Sequence, residues 1–300
     1  MKIINLLIIL LMVLIPGINA QGIESYSFDN EEGVYIVHYK WSQEDTLRKA
    51  VYVPANQVSP EINATIIFDQ TDNIFKYNFL IRNENTAKHP LFSIDLEVYT
   101  SINNISSPSP DWWGRKLDNK KLVRWIKRRG LSPGIEIGES GEGFGFKSKG
   151  LPRTSTVYFS SLTHIFHPEN DEPPYFVVAL IDSIRKESNA IDRITLAPWY
   201  PDSTMSLQDF TDTLQTFRYQ ACEELGWVTN HGVCNSLEVK IRNVKRHIER
   251  GQLKQAGNVL RAFLNEVDAQ RGKHITEEGY ALLNFNARYL RDQINEPAED

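Results

Sequence analysis

The sequence predicts a two-part β + α chain: an antiparallel β-sandwich of Ig-like architecture over residues 21–203, then a small bundle of three to four helices over residues 204–295. Three observations predict it. Between Tyr26 and Ser183, short apolar and aromatic segments are separated by frequent turn clusters, the texture of an antiparallel sandwich. No long helical spacers interrupt them, which argues against a parallel βαβ sheet. Beyond Asp202 the apolar period changes from two to about 3.6. The immunoglobulin Cys-Trp-Cys core is missing, so "Ig-like" describes architecture alone.

The chain opens with Lys2, an apolar run from Ile3 to Ile15 interrupted only by Asn5, the breaker Pro16-Gly17 and the small residue Ala20. This is the order of a cleaved secretory signal over residues 1–20, with the cut before Gln21. The run has 13 residues, and a membrane span needs roughly 20. No later stretch is apolar enough to span a membrane, so none is expected in the mature chain.

Strand candidates then follow in order: 34–39, 51–53, 64–68, 75–81, 91–99, 143–146, 155–159 and 175–181. The last, Tyr175-Phe-Val-Val-Ala-Leu-Ile181, is a continuous apolar run. Turn clusters lie at Asp29-Asn30, 69–73, 83–85 and 106–111. The basic, Trp-bearing stretch from Asp111 to Gly130 departs from this texture and reads as an inter-strand insertion. Leu122, Trp125 and Ile126 suit a short helix, and Leu122–Ile126 equally suits a strand. Residues 192–202, with Pro198 and Pro201, read as a linker.

Four helices follow. Ser206 with Asp209 forms a capping-box start, and Leu207, Phe210, Leu214, Phe217, Ala221 and Leu225 share one face. Gly226, Gly251 and Gly272 stand where left-handed stops belong. Ser236 is the expected cap of the second helix, with Leu237, Ile241, Val244 and Ile248 on its apolar face. Leu253 to Val267 marks a third. Thr276 caps the last, whose stripe is Leu283, Ala287, Leu290 and Ile294. Short loops make neighbouring helices antiparallel. The tail at 296–300 is acidic and expected to fray.

The two cysteines, Cys222 and Cys234, are expected to form a disulfide in an exported chain. Such a bond would clamp the lead helix to the bundle. A formal charge of −5 argues against a generic nucleic-acid binder.

Candidate chemistry is sparse. His164, His167, Glu169 and Asp171 form the densest cluster of metal-ligand types. On a strand, His at i and i+3 point to opposite faces, and zinc needs three or four convergent donors. An acidic loop rim is the other reading. Calcium at Asn170, Asp171 and Glu172 would lack the usual loop pattern. Gly141-Glu-Gly-Phe-Gly145 carries no G-K-[ST] and reads as a turn. No G-x-S-x-G elbow exists, and no cofactor is expected. Trp112, Trp113 and Trp125, with Trp199, are candidates for a sugar-stacking platform; core packing is the alternative. The basic stretch 115–129 could meet anionic polymer or headgroups, or be a solvated face.

Three stretches of the helical part share a pattern: Leu225–Leu237, Leu260–Ile275 with its A-F-x-N-E-V-x-A-Q-R-G-K string, and Leu282–Leu290. Residues 225–294 resemble the FIMAH-type C-terminal helical module of secreted bacterial proteins. The resemblance implies bacterial export and an accessory or surface role, with no catalytic residues. The expected function is therefore an exported or cell-surface, non-catalytic binding protein, with an extracellular polysaccharide or surface protein as partner. A carbohydrate-binding module and a hydrolase with a dispersed site are the alternatives.

Overall fold

The computed structural model describes residues 22–128, 130, 134–166 and 173–295. The expected secretory segment at 1–20 and the tail at 296–300 lie outside the described residues. The described chain forms three antiparallel sheets, with four consecutive helices after the last strand. It divides into two compact units, residues 22–54 with 163–188, and residues 55–162 with 189–295.

The first unit is a four-stranded sheet carrying one helix. Strands β1 (Ile23–Asp29), β2 (Val34–Tyr39), β3 (Arg48–Val53) and β12 (His164–Phe166) pair in that order, all antiparallel. Helix α1 (Tyr175–Glu187) packs Val177, Leu180, Ile181 and Ile184 against Val37, Tyr39, Ala50 and Tyr52. The segment 175–181, expected as a strand, is therefore helical. A continuous apolar run has no alternation to mark a strand, and Ile184 extends the run into a stripe of helical spacing. Pro174 stands at the N-cap, where its missing N–H costs no helical bond.

The second unit holds the sandwich. One sheet orders β4 (Pro60–Asp69), β5 (Ile74–Asn83), β10 (Ser140–Ser148) and β7 (Asn103–Ser106). The other orders β13 (Ile191–Trp199), β11 (Leu151–Ser161), β6 (Leu91–Glu97), β9 (Leu122–Lys127) and β8 (Trp112–Leu117). Burial alternates along β5, with Phe75, Tyr77, Phe79 and Ile81 inside. The period of two that marked this segment in the sequence thus defines its core face. Trp125 projects from β9 among Phe79, Phe144 and Phe146, with ring centroids about 6 Å apart.

Three expectations change here. The stretch from Asp111 is not an insertion: β8 and β9 form an antiparallel hairpin at the sheet edge. Nor is 192–202 a linker, because β13 pairs with β11 over nine consecutive positions. Pro198 and the nearby Pro201 masked it, yet Pro198 is tolerated because β13 is an edge strand. The glycine run at 141–145 is a β-bulge within β10 rather than a turn, and Gly143 takes φ +94° there.

Helices α2 (Leu207–Tyr219), α3 (His231–Glu249), α4 (Leu253–Gln270) and α5 (Glu277–Asn295) make the bundle. Ser206 and Asp209 form the expected capping box. Helix α3 starts earlier than expected: Asn230, not Ser236, is its cap, and its Oδ1 accepts from the Val233 N–H at 3.1 Å. A turn of π-helix, Gln220–Glu224, follows α2 and holds Cys222, which is bonded to Cys234 in the first turn of α3. Helix α2 touches both α3 and α5, so it closes a four-helix arrangement.

Sandwich and bundle share one continuous apolar core. Trp199, at the end of β13, stacks on Phe210 and meets Phe217 edge-on, both from α2. Phe75 of β5 meets Phe285 of α5 at 5.1 Å. Two polar contacts fix the register. The buried Glu278 carboxylate accepts from the Ala64 N–H of β4 at 2.6 Å. The Asn286 side-chain amide donates to the Pro152 carbonyl of β11 at 2.8 Å. Replacing Glu278 by Ala leaves the Ala64 N–H buried and unpaired, at a cost of about 1–3 kcal/mol. Glu278→Gln, which keeps an acceptor oxygen, should lose less. Urea denaturation of the two variants checks this, and equal stability of Glu278→Ala and the parent would contradict it.

Candidate functional site

Among the described residues, those singled out in the sequence do not converge on one site. His164 is exposed on β12. His167, Glu169 and Asp171 lie outside the described residues, as do Asn170 and Glu172. Among the described residues no group of three His, Cys, Asp or Glu side chains could hold a metal ion.

The tryptophans divide. Trp125 is 1% exposed and Trp112 6%. Their faces are occupied by Phe144 and Phe146, and the Trp125 indole N–H donates to the Ser106 carbonyl at 2.8 Å. Packing therefore removes both from a surface platform, because strand alternation turns them inward. Trp113, the next residue on β8, points the other way and is 52% exposed. The Arg128 guanidinium lies over its ring at 4.6 Å. The basic stretch is partly neutralised in place: Arg124 makes a bidentate pair with Asp95 at 2.6 and 2.7 Å. Lys127, nearly buried, sits 3.6 Å from Asp111.

A groove of about 760 Å³ lies where the sandwich meets the bundle. Binding clefts commonly measure roughly 300–1,000 Å³. One wall is the β4–β5 hairpin, with Ile66, Ile67, Phe68 and Phe75. Lys149, from the β10–β11 turn, and Tyr200, just past β13, flank it. The other wall is α5, which contributes Phe285, Arg288, Tyr289 and Asp292 at i, i+3, i+4 and i+7, hence from one face. Arg271 and Tyr280 complete the wall.

The charged groups of this wall are held from behind. Glu277 accepts two hydrogen bonds from Arg271, the first at 2.9 Å. The Arg271 guanidinium lies 4.0 Å from the centroid of the Tyr280 ring. Arg288 donates to Asn284 at 2.6 Å, with Asp268 at 3.9 Å. Arg291 pairs with Asp292 at 3.1 Å. Burial, together with the Asp268 carboxylate, pushes the Tyr280 phenol above its ordinary range. Tyr200 is half-exposed.

Part of this groove leaves a signal in the sequence of α5. Helix α5 has its buried stripe at Leu283, Ala287, Leu290 and Ile294. A second stripe of aromatic and charged residues, from Phe285 to Asp292, runs beside it. The cross-chain partners Lys149 and Tyr200 are placed only by the fold. Truncating the two kinds of tryptophan should separate core from surface. Trp125→Ala should cost about 3–5 kcal/mol, and Trp113→Ala less than about 1 kcal/mol. Thermal or urea unfolding reads both, and similar losses would contradict these placements.

Comparison with curated proteins finds no match. The family model of the FIMAH domain matches residues 212–292, from within α2 to the last turns of α5, so the helical bundle at the C-terminal end of this chain carries a FIMAH domain.

Proposed function

We propose that this chain is an exported, surface-associated bacterial protein that binds a ligand and does not transform it. The observation that carries the reading is the groove between the β4–β5 hairpin and α5. It gathers aromatic faces and several cations, and its lining includes a single carboxylate, Asp292, already paired with Arg291. Glycoside cleavage ordinarily uses two carboxylates facing the scissile bond, so this lining is suited to holding a chain rather than cutting one.

Three features support the export reading. The first is the order of Lys2, the apolar run and Ala20. The second is the Cys222–Cys234 disulfide, a bond that persists in oxidising compartments. The third is the FIMAH match, whose family resemblance implies a surface role. No helix among the described residues is long and apolar enough to cross a membrane.

Expression in a bacterial host with an intact export pathway tests the reading. The processed chain should begin at Gln21 and be recovered outside the cytoplasm, on the cell surface or in the medium. An unprocessed chain retained in the cytoplasm with reduced thiols would contradict it. So would release of new reducing ends from a polysaccharide that depends on one acidic or histidine residue.

A further inference from the structure

We infer that the groove between the β4–β5 hairpin and α5 binds an acidic oligosaccharide, a chain of pyranose rings carrying anionic groups. The inference rests on the proposal that this groove binds rather than cleaves, and it names the class of ligand.

The groove pairs aromatic surface with phenolic hydroxyls. Tyr200, Tyr280 and Tyr289 all line the groove. A tyrosine offers an apolar ring and a polar tip, which suits it to a ligand with both characters. A pyranose ring is such a ligand, with C–H faces and hydroxyl edges. Tyr200 is about half exposed, so a ring can reach it without unpacking the core.

The charge of the lining also favours an anion. Four cations line the groove, Lys149, Arg271, Arg288 and Arg291, against one carboxylate, Asp292. Adding Glu277 and Asp268 behind them still leaves four positive groups against three negative. The whole chain has a formal charge of −5, so the groove reverses the sign of the molecule locally, and such a reversal attracts anions. The guanidiniums are also positioned. Glu277 takes two of the five N–H donors of Arg271. Its other N–H groups lie in the same plane, and a planar fork of this kind matches carboxylate or sulfate geometry.

An extended peptide suits the groove less well. Peptides commonly join a free sheet edge. Here α5 packs along β4, and Glu278 already occupies the Ala64 N–H. The groove therefore offers side-chain surfaces and no long backbone ladder.

The test is titration calorimetry of the secreted chain with three probes: hexagalacturonate, a sulfated heparin hexasaccharide and neutral cellohexaose. Two exposed positions serve as variants, Tyr200→Ala and Lys149→Glu, each checked for an unchanged unfolding midpoint. The expected result is binding of hexagalacturonate that weakens with added salt and falls about tenfold in either variant, a change of 1.4 kcal/mol. Binding of the heparin probe instead, with the same response to the variants, would also support the inference and identify sulfate as the acidic group. Cellohexaose binding as tightly as either acidic probe would overturn the acidic class while leaving the groove a ligand site. No binding by any probe, or binding indifferent to both variants, would overturn the inference without bearing on export.

Discussion

Glu278 stands in the first turn of α5, where the positive end of the helix favours a carboxylate. Its side chain is almost fully buried and accepts from the Ala64 N–H on the edge strand of the neighbouring sheet. A buried carboxylate tolerates few positions, because losing its partner leaves desolvation uncompensated. That constraint fixes the angle and register at which the bundle meets the sandwich. Around it the apolar core is continuous: Trp199 reaches Phe210 and Phe217, and Phe75 reaches Phe285. The groove exists because of this docking. Its two walls belong to separate stretches of chain, and only a fixed junction keeps Tyr200 and Lys149 opposite α5.

The covalent and capping details act in the same direction. The disulfide joins the π-helical turn after α2 to the first turn of α3, so the lead helix follows the bundle. The family match begins inside α2, which places that lead helix with the module in sequence as well as in space. Here β13 runs directly into the junction, and its buried half, Thr195–Trp199, faces the shared core. A ligand in the groove would touch both parts at once, so binding would favour their docked arrangement.

The sequence was most readable where one physical signal acted alone. Period-two burial marked β5, and period-3.6 stripes with Gly226, Gly251 and Gly272 marked the bundle. The cysteine pair followed from the even count in a chain whose first residues read as an export signal. Legibility failed where two signals competed. The run at 175–181 is apolar throughout, and such runs fit a buried strand or a helix equally; its pairing with Pro174 favoured the helix. Pro198 argued against a strand at 191–199, and only the position of β13 at the sheet edge makes it acceptable. Trp112 and Trp113 look identical in sequence, yet alternation buries one and exposes the other. The groove was the least legible feature. It draws Lys149, Tyr200, Arg271 and Arg288 from distant positions, and no local spacing connects them. Asn83 is similar: buried and fully engaged, it accepts from the Ser59 N–H and donates to the His89 and Ile135 carbonyls.

The central claim is that sandwich and FIMAH bundle are one cooperative body joined through a common core. Hydrogen exchange read by mass spectrometry across a urea series tests it most directly. Peptides from β10 and β11 should lose protection at the same urea concentration as peptides from α4 and α5, because the two layers open together. Loss of protection in α4 and α5 while β10 and β11 remain protected, or the reverse, would contradict the account.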